Sequence, residues 1–166
     1  MTSRPIAVAP DTRPAMYEAM CRAVVAGGGL VTDMAEAEAL VWADPYRVDL
    51  FPAAMAANPD IGWVQLPYAG IEPFLDHLDL DRRWTNAKGV YAPAVAETVM
   101  AQVLALCKNL HEYGRANTWE GPVGRVLAGS RVTVLGGGGI TRCLLPLLAP
   151  FGCDVTVVRR TEESVA

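Results

Sequence analysis

Short apolar runs and amphipathic stretches alternate along the first half of the chain. The runs at Ile6–Ala9, Ala39–Ala43 and Ile61–Leu66 predict buried strands, because each is brief, continuously apolar and followed by a proline or a turn sequence. Helical spacing over Thr12–Ala26 and Asp49–Ala57 predicts the helices between them. Strands that alternate with helices indicate a parallel sheet covered on both faces.

A long apolar helix opens the second half. Its start is marked by Pro93, and its apolar side chains fall on one face: Val95, Val99, Val103, Leu106 and Leu110. A polar, glycine-rich loop over 115–130 follows, and then come a strand at 131–136, a helix at about 138–150 and a strand at 153–158. We therefore predict two domains: a flavodoxin-like α/β domain over residues 1–91, and the long helix plus the first βαβ unit of a Rossmann dinucleotide-binding domain over residues 92–166.

Composition and charge exclude several classes of function. Of the 166 residues, 52% are hydrophobic and 19% are charged, which indicates a folded, soluble protein with a sizeable core. The net charge of −4 argues against nucleic acid and anionic membranes as partners. The four cysteines show no CxxC spacing, so we expect neither a metal site nor a disulfide framework. With no evident secretory signal or membrane span, the sequence predicts a cytoplasmic protein.

The sequence between the last two predicted strands has the spacing of a dinucleotide-binding turn. Gly136 and Gly138 follow a strand directly and open a helix. Glycine lets the chain turn tightly and lets a pyrophosphate approach the backbone, while the helix N-terminus offers unpaired N–H groups. Thr141 stands where the pattern has a third glycine, and a glycine-rich turn without a ligand is the alternative.

Three stretches in register resemble the D-isomer-specific 2-hydroxyacid dehydrogenase family. They are "LPYAGIEPF", "TNAKGVYAPAVAETVMAQVLAL" and "LAGSRVTVLGGGGI…LAPFG". The resemblance implies two Rossmann-like domains, a nicotinamide cofactor, a small 2-keto or 2-hydroxy acid as substrate, and a homodimer built largely on the cofactor domain. It also implies that the sequence is the N-terminal portion of a longer protein and ends within the cofactor-binding domain.

The resemblance assigns roles to several residues. It implies that backbone N–H groups of Ala69, Gly70 and Ile71 hold the substrate carboxylate, which oriented amides can do without a charged side chain. It places Thr98 near the cofactor on the long helix. The cofactor-binding turn consists of Gly136, Gly138, Gly139 and Ile140.

No catalytic residue can be assigned in this sequence. The family's catalytic arginine, glutamate and histidine come from later segments. The two histidines, His77 in an acidic, surface-like stretch and His111 at the end of the long helix, are predicted to be structural or exposed. We therefore expect the chain by itself to be inactive. The alternatives are a non-catalytic nucleotide-binding or dimerisation module and, with less support, another Rossmann protein such as a methyltransferase.

The end of the last strand predicts the choice of cofactor. An acidic residue at this position accepts hydrogen bonds from the adenosine ribose and selects NAD, whereas arginine pairs with the 2′-phosphate of NADP. Here the strand is followed by Arg159, Arg160 and Thr161, and the acids Glu162 and Glu163 come later. The sequence therefore predicts NADP rather than NAD, unless the two arginines are ordinary solvated charges.

Overall fold

The computed structural model describes residues 3–119 and 121–161 and divides into two compact units, one ending at Lys88 and the other beginning at Gly89. The first unit contains one parallel sheet. Its strands are β1 (Pro5–Ala9), β2 (Leu30–Val31), β3 (Ala39–Trp42), β4 (Trp63–Gln65) and β5 (Arg83–Thr85). The order across the sheet is β2-β1-β3-β4-β5, and every neighbouring pair is parallel. This is the flavodoxin-like order, so the predicted fold of the first domain is confirmed.

Helices connect these strands much as the pattern predicts. Helix α1 spans Pro14–Ala26, and α2 spans Phe51–Ala57 after a 3-10 turn at Val48–Leu50. A longer 3-10 helix, Glu72–His77, which the sequence did not predict, follows β4. Its Phe74 is buried in the core of the unit.

An aromatic cluster lies at the centre of that core. The ring of Phe51 lies 5.0 Å from Trp42 and 5.4 Å from Phe74, both nearly perpendicular to it, as aromatic pairs prefer. Trp42, Phe51 and Phe74 are each at most 2% exposed. Burial of such a side chain stabilises the fold by about 1.5–3 kcal/mol. These rings therefore hold the sheet against α2 and the 3-10 helix at Glu72–His77.

The second unit contains the predicted helix and βαβ arrangement. Its helices are α3 (Ala92–Cys107), α4 (Leu110–Tyr113) and α5 (Gly139–Leu148), and its strands are β6 (Arg131–Leu135) and β7 (Asp154–Val158). Strands β6 and β7 pair in parallel from Arg131↔Asp154 to Leu135↔Val158. Helix α5 connects them, so the unit contains the strand–helix–strand start of a Rossmann fold.

The buried face of α3 is formed mainly by small residues rather than by its row of valines and leucines. Its buried residues are Ala92, Ala96, Met100 and Cys107. Of the five predicted residues, Val99 and Val103 are partly buried against the core, whereas Val95, Leu106 and Leu110 are exposed. Helix α3 packs mainly against α5, and small residues permit that close approach: a Cβ built on Gly139 would lie 3.7 Å from the Cβ of Ala92.

Candidate functional site

The glycine turn in the second unit joins β6 to α5. Gly136 has φ +102°, a left-handed conformation that favours glycine. Its N–H donates to the carbonyl oxygen of Val158 at 2.8 Å, which ties the turn to the end of β7. Gly138 is the N-cap of α5 and Gly139 is its first residue. Gly136 and Gly138 therefore lie in the turn, and Gly139 and Ile140 begin α5; their role in cofactor binding stays a prediction.

The space around this turn suits a pyrophosphate. A Cβ built on Gly136 or Gly138 would meet no atom within 4 Å, so a side chain at either position would occupy open space beside the backbone. The α5 N-terminus has no side-chain cap, and the first N–H groups of a helix have no partner within it. Unpaired donors, the helix dipole and room for approach together fit the dinucleotide that this turn implies.

Thr141 is accommodated where the motif has its third glycine. The side chain is buried, and its hydroxyl donates to the carbonyl oxygen of Gly136 at 2.7 Å. This hydrogen bond links the first turn of α5 to the end of the preceding strand. The substitution therefore adds a contact that stabilises the turn and leaves the open space beside Gly136 and Gly138 unobstructed.

The residues after β7 lie beside the same turn. Because Gly136 bonds to Val158, the next residue, Arg159, comes directly next to the glycine turn. Arg159 is half-buried and its Nη2 donates to Oγ1 of Thr161 at 3.1 Å, while Arg160 is exposed. The residues Glu162 and Glu163 lie outside the described part of the chain. Cationic groups thus stand at the strand end where dinucleotide-binding folds contact the adenosine ribose.

Thr98 lies apart from the glycine turn. It is on an exposed side of α3, and its hydroxyl donates to the carbonyl oxygen of Ala94 at 2.9 Å. The contact of α3 with Gly139 is made by Ala92, about 9 Å along the helix axis from Thr98 at 1.5 Å per residue. A role for Thr98 in cofactor binding stays a prediction.

A second candidate site lies in the first unit, at the turn that follows β4. Ala69 and Gly70 are exposed, and Ile71 packs its side chain against the core. The carbonyl oxygen of Ala69 accepts a hydrogen bond from Nδ2 of Asn86 at 2.9 Å. This bond anchors the turn to the segment that follows β5. Among the described residues, none accepts a hydrogen bond from the N–H groups of Ala69, Gly70 or Ile71. These three donors are therefore available to an anion.

A carboxylate of the protein lies against this turn. A Cβ built on Gly70 would come within 2.7 Å of Oε2 of Glu72, so the Glu72 side chain folds back over Gly70. Any side chain at position 70 would displace it. The negative charge of Glu72 would oppose an anionic ligand at the same N–H groups.

Loops that follow β1 and β3 meet beside the turn, and sequence reasoning did not find them. Oγ1 of Thr12, after β1, donates to Oδ2 of Asp44, after β3, at 2.8 Å. The backbone N–H of Tyr46 donates to the other oxygen, Oδ1, at 3.0 Å. Asp44 is only 4% exposed, and the available signal was the acid that directly follows a buried strand. The guanidinium of Arg13 lies over the ring of Tyr46, 5.6 Å from its centroid.

A hydrogen bond between Tyr46 and Tyr68 connects these loops to the turn. A side-chain hydrogen bond with Tyr68 is the largest of the effects that raise the pKa of Tyr46, and Asp44 also raises it while Arg13 lowers it. Tyr46 therefore stays a neutral phenol at physiological pH. Tyr68 directly precedes Ala69, so the contacts run from Arg13 through the two tyrosines to the turn at Ala69–Ile71.

Both histidines fall within the expectation that they are structural or exposed. The imidazole of His77 is half-buried and packs against Phe51 at 5.5 Å. It is half-buried because the 3-10 helix at Glu72–His77 turns it toward the core. His111 is exposed, and its Nε2 lies 3.4 Å from Oε1 of Glu112.

Over residues 3–119 and 121–161, the side chains of histidine, cysteine, aspartate and glutamate form no group of three that would hold a metal ion. All four cysteines carry free thiols. No helix in that part of the chain is both long and apolar enough to cross a membrane.

A curated protein is similar to most of this chain in sequence. No family model matches the sequence. An uncharacterized protein in the proB 3′ region of Corynebacterium melassecola is 30% identical over 158 residues, which cover 86% of this chain and 49% of that protein. The chain thus spans about half the length of this curated relative.

The chain also spans about half the length of the solved structures that it matches. A D-isomer specific 2-hydroxyacid dehydrogenase family protein from Aeromonas salmonicida superposes with a TM-score of 0.72 at 23% identity, covering 99% of this chain and 56% of that one. A D-isomer specific 2-hydroxyacid dehydrogenase from Xanthobacter autotrophicus, in complex with NADPH and MES, gives a TM-score of 0.70 at 21% identity over 98% of this chain and 55% of that one. The chain therefore has the fold of about half of a D-isomer-specific 2-hydroxyacid dehydrogenase, and the resemblance seen in the sequence is confirmed at the level of the fold.

Proposed function

We propose that the protein is a D-isomer-specific 2-hydroxyacid dehydrogenase, an enzyme that transfers hydride between a nicotinamide cofactor and a small 2-keto or 2-hydroxy acid. The observation that carries the proposal is the β6–α5–β7 unit, in which Gly136 and Gly138 leave open space beside an uncapped helix N-terminus. The fold shared with solved dehydrogenases supports the same reaction class.

In this proposal the second unit binds the cofactor, which supplies the hydride. The α5 N-terminus and the bare backbone of Gly138 bind the pyrophosphate, and Ile140, 43% exposed, offers an apolar surface beside it. Arg159, Arg160 and Thr161 bind a 2′-phosphate, which favours NADP over NAD because a guanidinium forms paired, charge-assisted hydrogen bonds with phosphate. The hydrogen bond from Arg159 to Thr161 supports this role, since it positions a donor beside the turn.

The first unit binds the substrate in this proposal. The N–H groups of Ala69, Gly70 and Ile71 hold its carboxylate, and no acceptor among the described residues takes a hydrogen bond from them. Glu72 weakens the interaction by charge repulsion.

The direct test is a spectrophotometric assay of the full-length protein. NADPH oxidation, with NADH in parallel, is followed on glyoxylate, hydroxypyruvate and pyruvate. Reduction to the D-hydroxy acid, established by chiral chromatography, supports the proposal. Absence of turnover with every pair of cofactor and acid contradicts it.

We also propose a cytoplasmic homodimer. Exposed apolar side chains on α3, α4 and the following loop support it: Leu106 is 71% exposed, Leu110 53% and Trp119 75%. The ring of Trp119 stacks on Tyr113 at 5.9 Å with an interplanar angle of 7°, so this apolar surface is preorganised. Sedimentation of the full-length protein as a monomer at micromolar concentration would contradict the dimer.

The same exposed surface favours the second candidate, a non-catalytic dimerisation module. The two proposals differ in cofactor binding, because a pure module has no use for the open space beside Gly138. Titration of the protein with NADPH and NADH, read by calorimetry, distinguishes them: binding of either supports the dehydrogenase, and binding of neither supports the module.

A further inference from the structure

The cluster formed by Arg13, Tyr46 and Tyr68 has no assigned role. It lies at the ends of β1, β3 and β4, and the ends of parallel strands meet at one edge of a sheet, where ligands of such folds bind. Tyr68 connects it directly to the turn at Ala69–Ile71. The cluster is therefore placed to contact whatever part of a substrate extends beyond the carboxylate.

The guanidinium of Arg13 forms no ion pair with a carboxylate of the described residues. Among the described residues, ion pairs within 4.0 Å involve Arg22, Arg47, Arg82 and His111. The nearest buried acid, Asp44, uses its two oxygens to accept from Thr12 and from the backbone of Tyr46.

The guanidinium is nevertheless held in place. It stacks over the ring of Tyr46, a contact that orients its plane and leaves its edge N–H groups open to solvent. Tyr46 is in turn fixed at its backbone by Asp44 and at its hydroxyl by Tyr68. A planar, oriented guanidinium with open donors is the arrangement that proteins use to bind a carboxylate with two hydrogen bonds.

We propose that Arg13, with Tyr46 and Tyr68, forms a subsite for a second negatively charged group, so that the preferred substrates are 2-keto acids that carry a further carboxylate. This inference rests on the proposed dehydrogenase function and specifies its substrate class. The first carboxylate binds at the turn, and the second binds at Arg13. The tyrosine pair lies between them and offers hydroxyl groups to the polar middle of the ligand.

Two substrates of equal chain length test the inference. The diacid 2-oxoglutarate and the monoacid 2-oxopentanoate differ only in the distal carboxylate, and both are assayed with the full-length protein and NADPH or NADH. We expect a higher kcat/KM for the diacid. Arg13→Met should lower this value about tenfold to a hundredfold on 2-oxoglutarate, through KM, and change it less than about twofold on 2-oxopentanoate.

Matched variants complete the design. Arg22→Met removes an equally exposed arginine from α1 and should leave both substrates unaffected. Arg13→Lys keeps the charge but not the planar stack, and should retain part of the preference. Equal kcat/KM for the two acids in the unmodified protein, or an equal loss on both acids in Arg13→Met, overturns the subsite.

A binding measurement keeps the subsite separate from the reaction. Failure to reduce any 2-keto acid contradicts the proposed function, and calorimetric titration with the same two acids then decides on the subsite alone. Tighter binding of 2-oxoglutarate that is lost in Arg13→Met supports it. Equal binding of the two acids, or no binding of either, overturns it.

Discussion

The backbone N–H of Gly136 donates to the carbonyl oxygen of Val158, so the glycine turn and the end of β7 form one edge. This contact places Arg159 beside the turn, and we predict that the full-length protein prefers NADP(H). In the double variant Arg159→Ala/Arg160→Ala, the Kd for NADPH should rise at least about tenfold, whereas that for NADH should change little. Higher ionic strength should reduce the preference, because exposed charges are screened.

The control for this prediction is Arg142→Ala, an arginine on α5 that is exposed. It removes one positive charge from the same unit without touching the strand end. Equal Kd values for the two cofactors in the unmodified protein, or parallel losses for both in the double variant, would show that the arginines do not select the phosphate.

Gly136 and Gly138 should respond differently to the same substitution. Gly138 has φ −85° and open space around it, so Gly138→Ala should change the free energy of unfolding by less than about 1 kcal/mol yet raise the cofactor Kd at least about tenfold. Gly136→Ala forces alanine to φ +102° and should destabilise the fold by about 1–2 kcal/mol. Urea unfolding and calorimetry separate the two effects, and unchanged cofactor affinity in Gly138→Ala would exclude the turn as the pyrophosphate site.

Removing the charge of Glu72 should strengthen substrate binding. Its carboxylate lies over Gly70, where the substrate carboxylate is proposed to bind, so Glu72→Gln should lower KM about threefold to fivefold with little change in kcat. Asp76→Asn, which neutralises an exposed acid on the same 3-10 helix, is the control. A KM that rises in Glu72→Gln would show that Glu72 supports the turn rather than opposing the ligand.

Arg82 should matter for stability far more than its neighbour Arg83. Arg82 donates to the carbonyl oxygens of Ile61 and Pro59, both at 2.9 Å, and pairs with Asp79. Arg82→Ala leaves these acceptors without partners and should lower the free energy of unfolding by about 1–3 kcal/mol. Arg83→Ala, at an exposed position of β5, should have an effect below about 0.5 kcal/mol.

The same pair predicts a pH dependence. Partial burial acts to raise the pKa of Asp79, but hydrogen bonds and charge from Arg82 outweigh it and lower that pKa. A lowered pKa in the folded state contributes stability above the unfolded pKa, and this contribution is lost as the pH falls through the folded pKa. Asp79→Asn should therefore flatten the acid side of the stability profile measured by urea unfolding, and an unchanged profile would contradict the assignment.

The 166-residue chain expressed by itself should not reduce 2-keto acids. Reduction needs a positioned proton donor and a group that polarises the carbonyl. His77 packs against Phe51 and His111 contacts Glu112, so neither is placed for proton transfer in the described structure. An assay with glyoxylate or hydroxypyruvate and NADPH checks this, and turnover at ordinary dehydrogenase rates would contradict it.

The inner strands of the first sheet, which follow apolar runs, were predicted well, and the two edge strands were not. The strands at Ile6–Ala9 and Ala39–Ala43 appear as β1 and β3, because a continuous apolar run in an α/β chain is stable only when buried on both faces. β2 has two residues and β5 has three, too few to show a period of two. The 3-10 helix at Glu72–His77 was also missed, since its buried Phe74 stands among acids.

The sequence by itself determined the glycine turn, the alternation of strands and helices, and the arginines after β7, because these features depend on neighbouring residues and backbone preferences. Only the tertiary structure decided which residues come together from separate segments. Thr12 bonds to Asp44 across 32 positions of the chain, and Asn86 bonds to the carbonyl oxygen of Ala69 across 17 positions. Such contacts follow from the parallel register of the sheet, which brings strand ends to one edge whatever their separation in sequence. Likewise, the close contact of α3 with α5, and not the size of its apolar side chains, decided which face of α3 is buried.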